Sequence, residues 1–200
     1  MIISIEGNIG SGKSTVLEYI KSQEKVFQED ISNWGSWIED FYSNPEKNSF
    51  GFQMRVLLSQ SYIKNNTNDI LFHERSPLTC NYIFGNILKD KNHLSLSEQS
   101  LCIEFANKYC WEPNYIIYIK TDPEICKQRI LERNRVGENI DFPYLLLVHK
   151  FHEEMYNREN TKIYIVDGHD EKEKIFINIK KIINDIKKKK SNNNQFLNKN

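Results

Sequence analysis

The feature that most constrains the fold of this chain is a glycine-rich segment near its start, where residues 7–14 read Gly-Asn-Ile-Gly-Ser-Gly-Lys-Ser. The segment matches the pattern G-x-x-x-x-G-K-[ST] in full. It lies between an apolar run at Ile2–Ile5 and a helix predicted over Thr15–Ser22. Glycines let the backbone turn so tightly that successive N–H groups point at phosphate oxygens. The order strand, loop, helix therefore predicts a nucleoside triphosphate site, which GTPases, ATPases and small-molecule kinases share.

Each residue of this loop has a predicted role toward ATP and Mg²⁺. We expect Lys13 to reach the outer phosphates and the Ser14 hydroxyl to bind Mg²⁺. The other ATP contacts are expected from the loop and the first turn of its helix, at Gly7, Asn8, Ile9, Gly10, Ser11, Gly12 and Thr15. The alternative is a glycine-rich turn that binds nothing.

The rest of the chain alternates short apolar runs with helical patterns, which is typical of an α/β fold. The predicted strands are Ile2–Ile5, Val26–Gln28, Ile70–His73, Tyr115–Ile119 and Ile163–Val166. The predicted helices are Thr15–Ser22, Phe50–Lys64, Glu98–Tyr109, Pro123–Arg133, which Asp122 would cap, and a closing helix through Phe176–Ile186. We expect a parallel sheet of about five strands flanked by helices in a single domain over residues 1–186. A Lys/Asn-rich, disordered tail is expected over residues 187–200.

Composition excludes several classes of protein. Apolar residues make up 39% of the chain, which is enough for a core, and no run is long enough to span a bilayer. The 27 basic and 27 acidic residues balance, although nine lysines follow residue 170. We interpret the basic end as a solvated helix and tail, with nucleic-acid or lipid binding as the alternative. The four cysteines form no C-x-x-C pair, and no secretory signal is visible. We expect a cytoplasmic protein with no membrane or nucleic-acid partner.

Polar residues at predicted strand ends indicate a kinase rather than a GTPase. Glu74 and Arg75 follow a predicted strand, and carboxyl ends of parallel strands form the ligand crevice. Glu74 could hold Mg²⁺ and Arg75 could neutralise the transferring phosphoryl group, whereas the alternative is an ion pair that caps the next helix. Glu29 follows another strand and could accept a hydroxyl proton. Trp34, close behind it, offers a flat surface for a base but is more often a core residue.

Arginines cluster after the fourth predicted strand. Three of the six arginines, Arg129, Arg133 and Arg135, lie within seven residues, where a helix gives way to a loop. Guanidinium groups on such a loop suit a lid that closes over a triphosphate. The alternative is a solvated basic face.

Taken together, the chain resembles the deoxynucleoside kinases, the family of deoxycytidine, deoxyguanosine and mitochondrial thymidine kinases and the insect multisubstrate enzyme. The resemblance runs from Gly7 to about Asp170 and includes five motifs in the family's order. These are the glycine loop, Glu29 five residues before Trp34, Tyr42 followed by Phe52-Gln53, Glu74-Arg75-Ser76, and Arg133-x-Arg135-x-x-Glu138. It implies a P-loop kinase fold with an arginine-bearing lid. It also implies transfer of phosphate from ATP to a deoxynucleoside 5′-hydroxyl.

The resemblance also implies a role for each matching residue. Glu29 matches the general base and Arg75 the arginine that positions it, while Ser14 and Glu74 match the Mg²⁺ positions. Tyr42 and Glu138 match the pair that binds the sugar 3′-hydroxyl. Gln53 matches the amide that reads the base, and Trp34 and Phe84 match the residues that pack around it. Arg133 and Arg135 match the lid arginines over ATP. The adenine loop is expected near Gly168–Asp170, and the family's helix pair near Asn81–Leu88 and Glu98–Tyr109 implies a homodimer.

Departures from the family pattern bear on the substrate. The branch that takes cytosine or purines has an Arg and an Asp in the base pocket, where this chain has Gln60 and Cys80. Val56 matches the thymidine-accepting branch. We therefore expect a preference for thymidine and other pyrimidine deoxynucleosides. Two alternatives remain, a thymidylate-type monophosphate kinase and a non-catalytic structural member of the same fold.

Overall fold

The protein has a five-stranded, all-parallel sheet at its centre. A computed structural model describes residues 1–28, 34–61, 69–134, 140–156 and 162–197, with side chains as far as Asn192. The strands are β1 (Ile2–Glu6), β2 (Lys25–Phe27), β3 (Leu71–Glu74), β4 (Tyr115–Lys120) and β5 (Lys162–Asp167). Their order is β2-β3-β1-β4-β5, and each neighbouring pair is parallel. The predicted α/β class and strand number are confirmed.

Helices connect the strands and flank both faces of the sheet. They are α1 (Lys13–Lys21), α2 (Ser36–Ser43), α3 (Pro45–Ser61), α4 (Pro77–Thr79), α5 (Asn86–Asp90), α6 (Leu96–Tyr109), α7 (Pro123–Arg133), α8 (Phe142–Tyr156) and α9 (Lys172–Leu197). A π-helical turn, Cys80–Gly85, joins α4 to α5. Helix α7 has the predicted bounds, with Asp122 at its N-cap position, although the Asp122 side chain makes no capping hydrogen bond.

The two faces of the sheet differ in polarity. Ile3 and Ile5 of β1, Phe72 of β3 and Ile117 of β4 face an apolar core formed with α1 and α9. Because side chains alternate along a strand, the residues between them point to the opposite face. There the sheet presents buried polar residues, namely Ser4, Glu6, His73 and Tyr118, together with buried groups of the α4–α8 layer.

Three helices differ from the sequence prediction. Helices α2 and α8 were not predicted, because α2 is short and α8 begins with an apolar run that has no helical period. Helix α9 continues past residue 186 to Leu197, where a disordered tail was expected. Lysines favour the helix, and the side chain of Lys189 donates to Asp185 at 2.7 Å and to the Tyr164 hydroxyl at 2.9 Å.

Two further findings concern the chain as a whole. Among the helices that the structure describes, none combines the length and apolar character needed to cross a bilayer. All four cysteines lie in described segments, and none of them forms a disulfide.

Candidate active site

A cavity of about 1140 Å³ opens at the carboxyl ends of the central strands. One end is lined by the glycine loop, α7 and the start of α9, and the other by α2, α3 and the π-helical turn. Glu74, the last residue of β3, and Arg75, which follows it, connect the two ends, because Glu74 contacts Ser14 and Arg75 lies over the Phe84 ring. The cavity therefore offers room for two ligands, with charged side chains where they would meet.

The glycine loop has a backbone that only glycine adopts readily. Gly7, Gly10 and Gly12 have φ values of 147°, 81° and 104°. A Cβ on Gly10 would lie 2.5 Å from the carbonyl oxygen of Cys126 in α7, so the loop is also packed tightly. Gly12 is the N-cap of α1 and supplies no side-chain cap. The first N–H groups of α1 therefore lack a capping side chain and are suited to bind an anion.

Lys13 lies buried inside this loop. Its Nζ atom donates to the carbonyl oxygens of Gly7, at 3.0 Å, and Asn8, at 2.7 Å. The Asn8 side chain is fixed in turn, because its Nδ2 donates to the carbonyl oxygen of Leu145 at 2.9 Å. The described lining of the cavity includes Ile9 to Thr15 but neither Gly7 nor Asn8, which lie behind Lys13.

Ser14 and Glu74 meet at the mouth of the loop and fit a magnesium ion. The Ser14 hydroxyl donates to Glu74 Oε1 at 3.4 Å. Hydroxyl and carboxylate oxygens are ligands that Mg²⁺ prefers, usually together with phosphate oxygens and water. The two residues predicted as metal ligands are therefore brought together, although they lie 60 positions apart.

Arg75 occupies the centre of the cavity in a strained backbone conformation. Its φ is 59°, in the left-handed region that costs a non-glycine residue about 1–2 kcal/mol. Its N–H donates to the carbonyl oxygen of Ile5 at 3.1 Å, which ties the turn to β1. Its guanidinium carbon lies 5.3 Å from the centre of the Phe84 ring in the π-helical turn. Such strain occurs where a side chain has to be aimed at a site.

The far end of the cavity is lined by aromatic side chains and one amide. Gln53 Nε2 donates to the Cys80 carbonyl oxygen at 2.7 Å and to its Sγ at 3.2 Å. Val56 lies one turn further along α3, and Trp34 packs edge-on against Phe52. The walls combine flat apolar surfaces with one hydrogen-bonding side chain, as a site for a nucleobase requires.

At the phosphate end, Arg129 joins two loops. Its Nη1 donates to the carbonyl oxygen of Ser11 at 3.2 Å, and its Nη2 donates to that of Gly168 at 2.9 Å. Arg133, at the end of α7, also lines the cavity. The glycine loop is therefore fixed to the segment that follows β5, where the adenine loop was expected.

The segment after β5 is fixed a second time by His169. Its Nδ1 lies 2.6 Å from Asp167 Oδ1, and its Nε2 lies 3.2 Å from Asp122 Oδ2. These contacts raise the pKa of His169 above its usual value, mainly through the hydrogen bond with Asp167, while partial desolvation opposes the rise. The ends of β4 and β5 are thus connected through one imidazole.

The described structure gathers most of the predicted site residues and leaves some outside. Tyr42, Phe84 and Cys80 line the cavity with the residues above. Gln60 is buried on the same face of α3 but is absent from the described lining. Glu29, Arg135 and Glu138 lie outside the described residues, so their roles remain predictions.

Sequence reasoning missed the contacts of Arg129 and the position of Tyr144 in this cavity. Arg129 was noticed in the arginine cluster, but its contacts to Ser11 and Gly168 depend on the fold. Tyr144 of α8 also lines the cavity, and burial raises the pKa of its hydroxyl. No motif marks Tyr144, because it stands in an apolar run.

Comparison with solved structures agrees with this geometry. A deoxyadenosine kinase from M. mycoides, solved with dCMP and a flexible dCDP bound, superposes with a TM-score of 0.79 at 24% identity. The match covers 94% of this chain and 100% of the other chain. At this level of identity the comparison shows that the two proteins share a fold.

Sequence comparisons identify the family. A protein of Invertebrate iridescent virus 3 that is named as a kinase is 36% identical over 173 residues, which cover 84% of this chain and 88% of the other. A fowlpox virus protein named as a deoxycytidine kinase is 33% identical over 175 residues, which cover 79% of this chain and 72% of the other. The family model for deoxynucleoside kinases matches residues 3–192. With the glycine loop, Arg75 and the base-sized pocket in one cavity, the chain belongs to the deoxynucleoside kinase family and is a kinase.

Proposed function

We propose that the protein transfers the γ-phosphoryl group of ATP to the 5′-hydroxyl of a deoxynucleoside, giving ADP and the deoxynucleoside 5′-monophosphate. The observation that carries this proposal is the course of the cavity. It runs from Lys13 in the glycine loop, past Arg75, to the amide of Gln53. A triphosphate at one end and a nucleoside at the other would place the reacting atoms beside Arg75.

Positioning and charge stabilisation account for most of the expected catalysis. The transition state spreads negative charge over the γ-phosphoryl oxygens, so fixed cations in a water-poor site stabilise it. Lys13 and Arg75 supply that charge, and Arg133 at the rim would approach the phosphates from the α7 side. When bound by Ser14 and Glu74, Mg²⁺ adds positive charge at the phosphates. Glu29, by the family resemblance, would accept the proton of the 5′-hydroxyl.

The contacts of Gln53 support a preference for thymidine among the deoxynucleosides. Its Nε2 already donates to Cys80, so Oε1 is the amide atom available to accept a hydrogen bond. The base of thymidine offers an N3–H donor, whereas N3 of cytosine is an acceptor. Cys80 is small and leaves room for the C5 methyl group, and Val56 gives that end of the cavity an apolar wall.

A homodimer is part of the proposal. Helix α6, one of the pair named by the resemblance, carries the exposed apolar side chains of Leu101 and Tyr109, which are eight positions apart and therefore lie on one side of the helix. Such a surface on a helix is suited to packing against a second copy. Light scattering of the wild type and of Leu101→Lys tests this, because the measured mass should fall from that of a dimer toward that of a monomer in the variant.

A reducing, cytoplasmic location is also part of the proposal, because it fits four cysteines that form no disulfide.

One set of assays tests the function. The protein is incubated with ATP, Mg²⁺ and thymidine, deoxycytidine, deoxyadenosine or deoxyguanosine, and kcat/KM is measured for each. Relatives are named as deoxycytidine and deoxyadenosine kinases, which makes those two nucleosides the informative competitors. Thymidylate serves as a further acceptor. Phosphorylation of thymidylate alone would show a monophosphate kinase, and a purine preference would overturn the preference for pyrimidines.

A further inference from the structure

The buried carboxyl group of Glu6 takes no direct part in the proposed phosphoryl transfer. Glu6 ends β1, immediately before the glycine loop, and its exposed fraction is 0%. Neither carboxylate oxygen makes a hydrogen bond of regular geometry among the described residues, although the hydroxyls of Thr79 and Ser76 are near enough to lower its pKa. Burying an ionised carboxylate without partners is costly, so such a group needs a compensating charge or a proton.

Glu6 lies behind the phosphate-binding cations. It follows Ile5, which faces α1, so its own side chain points to the opposite, polar face of the sheet. The side chain of Glu74 lies on the same face of the sheet as that of Phe72, which packs toward α1. The contact between Ser14 and Glu74 is therefore on the opposite face of the sheet from Glu6. Arg75 and Lys13 are near enough that their positive charges lower the pKa of Glu6.

The other elements around Glu6 contribute hydroxyl groups and neutral rings. Ser76, the N-cap residue of α4, and Thr79 at the end of α4 have their hydroxyls 3.3 Å apart and form no regular hydrogen bond with the carboxylate. From α8 come Tyr156, whose hydroxyl oxygen is buried, and His152. From β4 comes Tyr118, whose ring packs on those of both α8 residues. Glu6 is thus the acid of a cluster that otherwise holds hydroxyl groups, the ring of His152 and the two cations Lys13 and Arg75.

Of these groups, Glu6 is the one poised to change its charge near neutral pH. Burial raises the pKa of Glu6 to about 7, although Thr79, Ser76, Arg75 and Lys13 all act to lower it. Burial lowers the pKa of His152 to about 3, so that ring stays neutral. Burial also raises the pKa of Tyr156 and of Tyr118, which stay protonated.

We propose that Glu6 takes up a proton when a nucleoside triphosphate enters the glycine loop, and that it is a positioning residue for Lys13 and Arg75. In the empty loop an ionised Glu6 partly balances the two cations. A triphosphate brings its own negative charge to them, so a second anion behind them becomes unfavourable. The proton comes from solvent and returns to solvent when the nucleotide leaves. This inference rests on the proposed function only in that the loop has to bind a triphosphate.

The coupling has a measurable sign. Because the bound state holds more protons than the empty state, affinity for ATP should fall as pH rises. The affinity can fall by at most about tenfold per pH unit, and it does so at pH values above the pKa that Glu6 has in the empty protein. A glutamine of the same shape has no proton to exchange, so Glu6→Gln should remove this part of the pH dependence. It should also bind ATP at high pH more tightly than the wild type does.

Isothermal titration calorimetry with ATP and Mg²⁺, without nucleoside, tests the inference in buffers of different ionisation enthalpy. At about pH 7 the wild type should take up about half a proton more per site than Glu6→Gln, since a group is half protonated at its pKa. Glu6→Asp retains an acid and should retain the coupling. Glu18→Gln removes an exposed acid on α1 and should behave as the wild type.

Two outcomes would overturn the inference, and a third concerns the proposed function. Equal proton uptake by folded Glu6→Gln and by the wild type contradicts it. If Glu6→Gln does not fold, infrared difference spectra of the wild type on release of caged ATP replace that comparison. They should show a gain of protonated carboxyl signal, and no gain contradicts the inference. Failure of the wild type to bind ATP at any pH would contradict the proposed function instead.

Discussion

The guanidinium group of Arg75 lies over the ring of Phe84, with 5.3 Å between the guanidinium carbon and the ring centroid. Arg75 reaches the phosphoryl end of the cavity, and Phe84 lines its nucleoside end. The contact therefore joins the residue expected to stabilise the transferred group to one expected to touch the base. The π-helical turn makes this possible, because it carries Phe84 on the segment that follows Arg75.

Phe84→Leu should weaken catalysis through Arg75. A cation–π contact contributes about 0.5–2 kcal/mol, so kcat/KM should fall by about 2- to 30-fold beyond any effect on nucleoside binding. Phe84→Tyr keeps the ring face and should stay close to the wild type. We would measure kcat and KM separately for each variant. A rise in KM with unchanged kcat would show that Phe84 contacts only the base.

Gly10→Ala should destabilise the fold and weaken ATP binding. Its Cβ would lie 2.5 Å from the Cys126 carbonyl oxygen, at a φ of 81°, so α7 or the loop has to move. Gly35→Ala is a matched control, since Gly35 has a φ of 51° and a Cβ added there would meet no atom of the described residues within 4 Å. The control should lose about 1–3 kcal/mol from backbone strain alone, since a φ of 51° with a ψ of −135° is a conformation that mainly glycine adopts. Thermal unfolding and ATP titration measure both effects, and equal losses in the two variants would argue against tight packing at Gly10.

The fold was largely predictable because its strands are short apolar runs with polar ends. Each of the five predicted strands overlaps an observed one, from Ile2–Ile5 to Ile163–Val166. Helix α8 was missed because its first residues, from Phe142 to Val148, are almost all apolar and show no helical face. The end of α9 was missed because a Lys- and Asn-rich composition does not show that ion pairs, such as Lys189 with Asp185, accompany a helix.

The site was predictable where chemistry is encoded in a continuous motif. The glycine loop is such a motif, and the fold also brings Ser14 beside Glu74, as the family pattern implied. The roles of Arg129 and Glu6 could not be predicted from the sequence, because they depend on groups that are distant along the chain. Arg129 bonds Ser11, 118 positions away, and Glu6 is unusual only because the α4–α8 layer buries it.

Cys80 should determine how the protein discriminates thymidine from deoxyuridine, which differ by one methyl group. A methyl group in an apolar pocket contributes about 1–3 kcal/mol, or up to about 200-fold in kcat/KM. The wild type should prefer thymidine, and Cys80→Ser, of similar size, should keep that preference. Cys80→Met would fill the space, so the preference should disappear or reverse. An unchanged ratio in Cys80→Met would mean that the methyl group lies elsewhere.

Glu29→Gln should lower turnover while nucleoside binding is retained. A general base contributes about 10²–10⁴-fold, and glutamine keeps the size of the side chain but cannot accept the proton. Pre-steady-state rates of monophosphate formation, with nucleoside affinity measured by calorimetry, separate the two effects. A kcat close to that of the wild type would show that another group accepts the proton.

His169 should stabilise the fold more in mild acid than in base. Its pKa is raised in the folded protein, chiefly by the hydrogen bond with Asp167 and further by Asp122. A group with a raised pKa contributes its full stabilisation below its unfolded pKa of about 6.5, and this is lost as pH rises through the folded value. His169→Gln should therefore lower Tm more at about pH 6 than at about pH 8.5.

Asp167→Asn should lower Tm with the same dependence on pH. The double variant should lose less Tm than the sum of the two single losses, because both changes remove the same interaction. A loss of Tm that does not vary with pH would mean that His169 acts by packing rather than by charge.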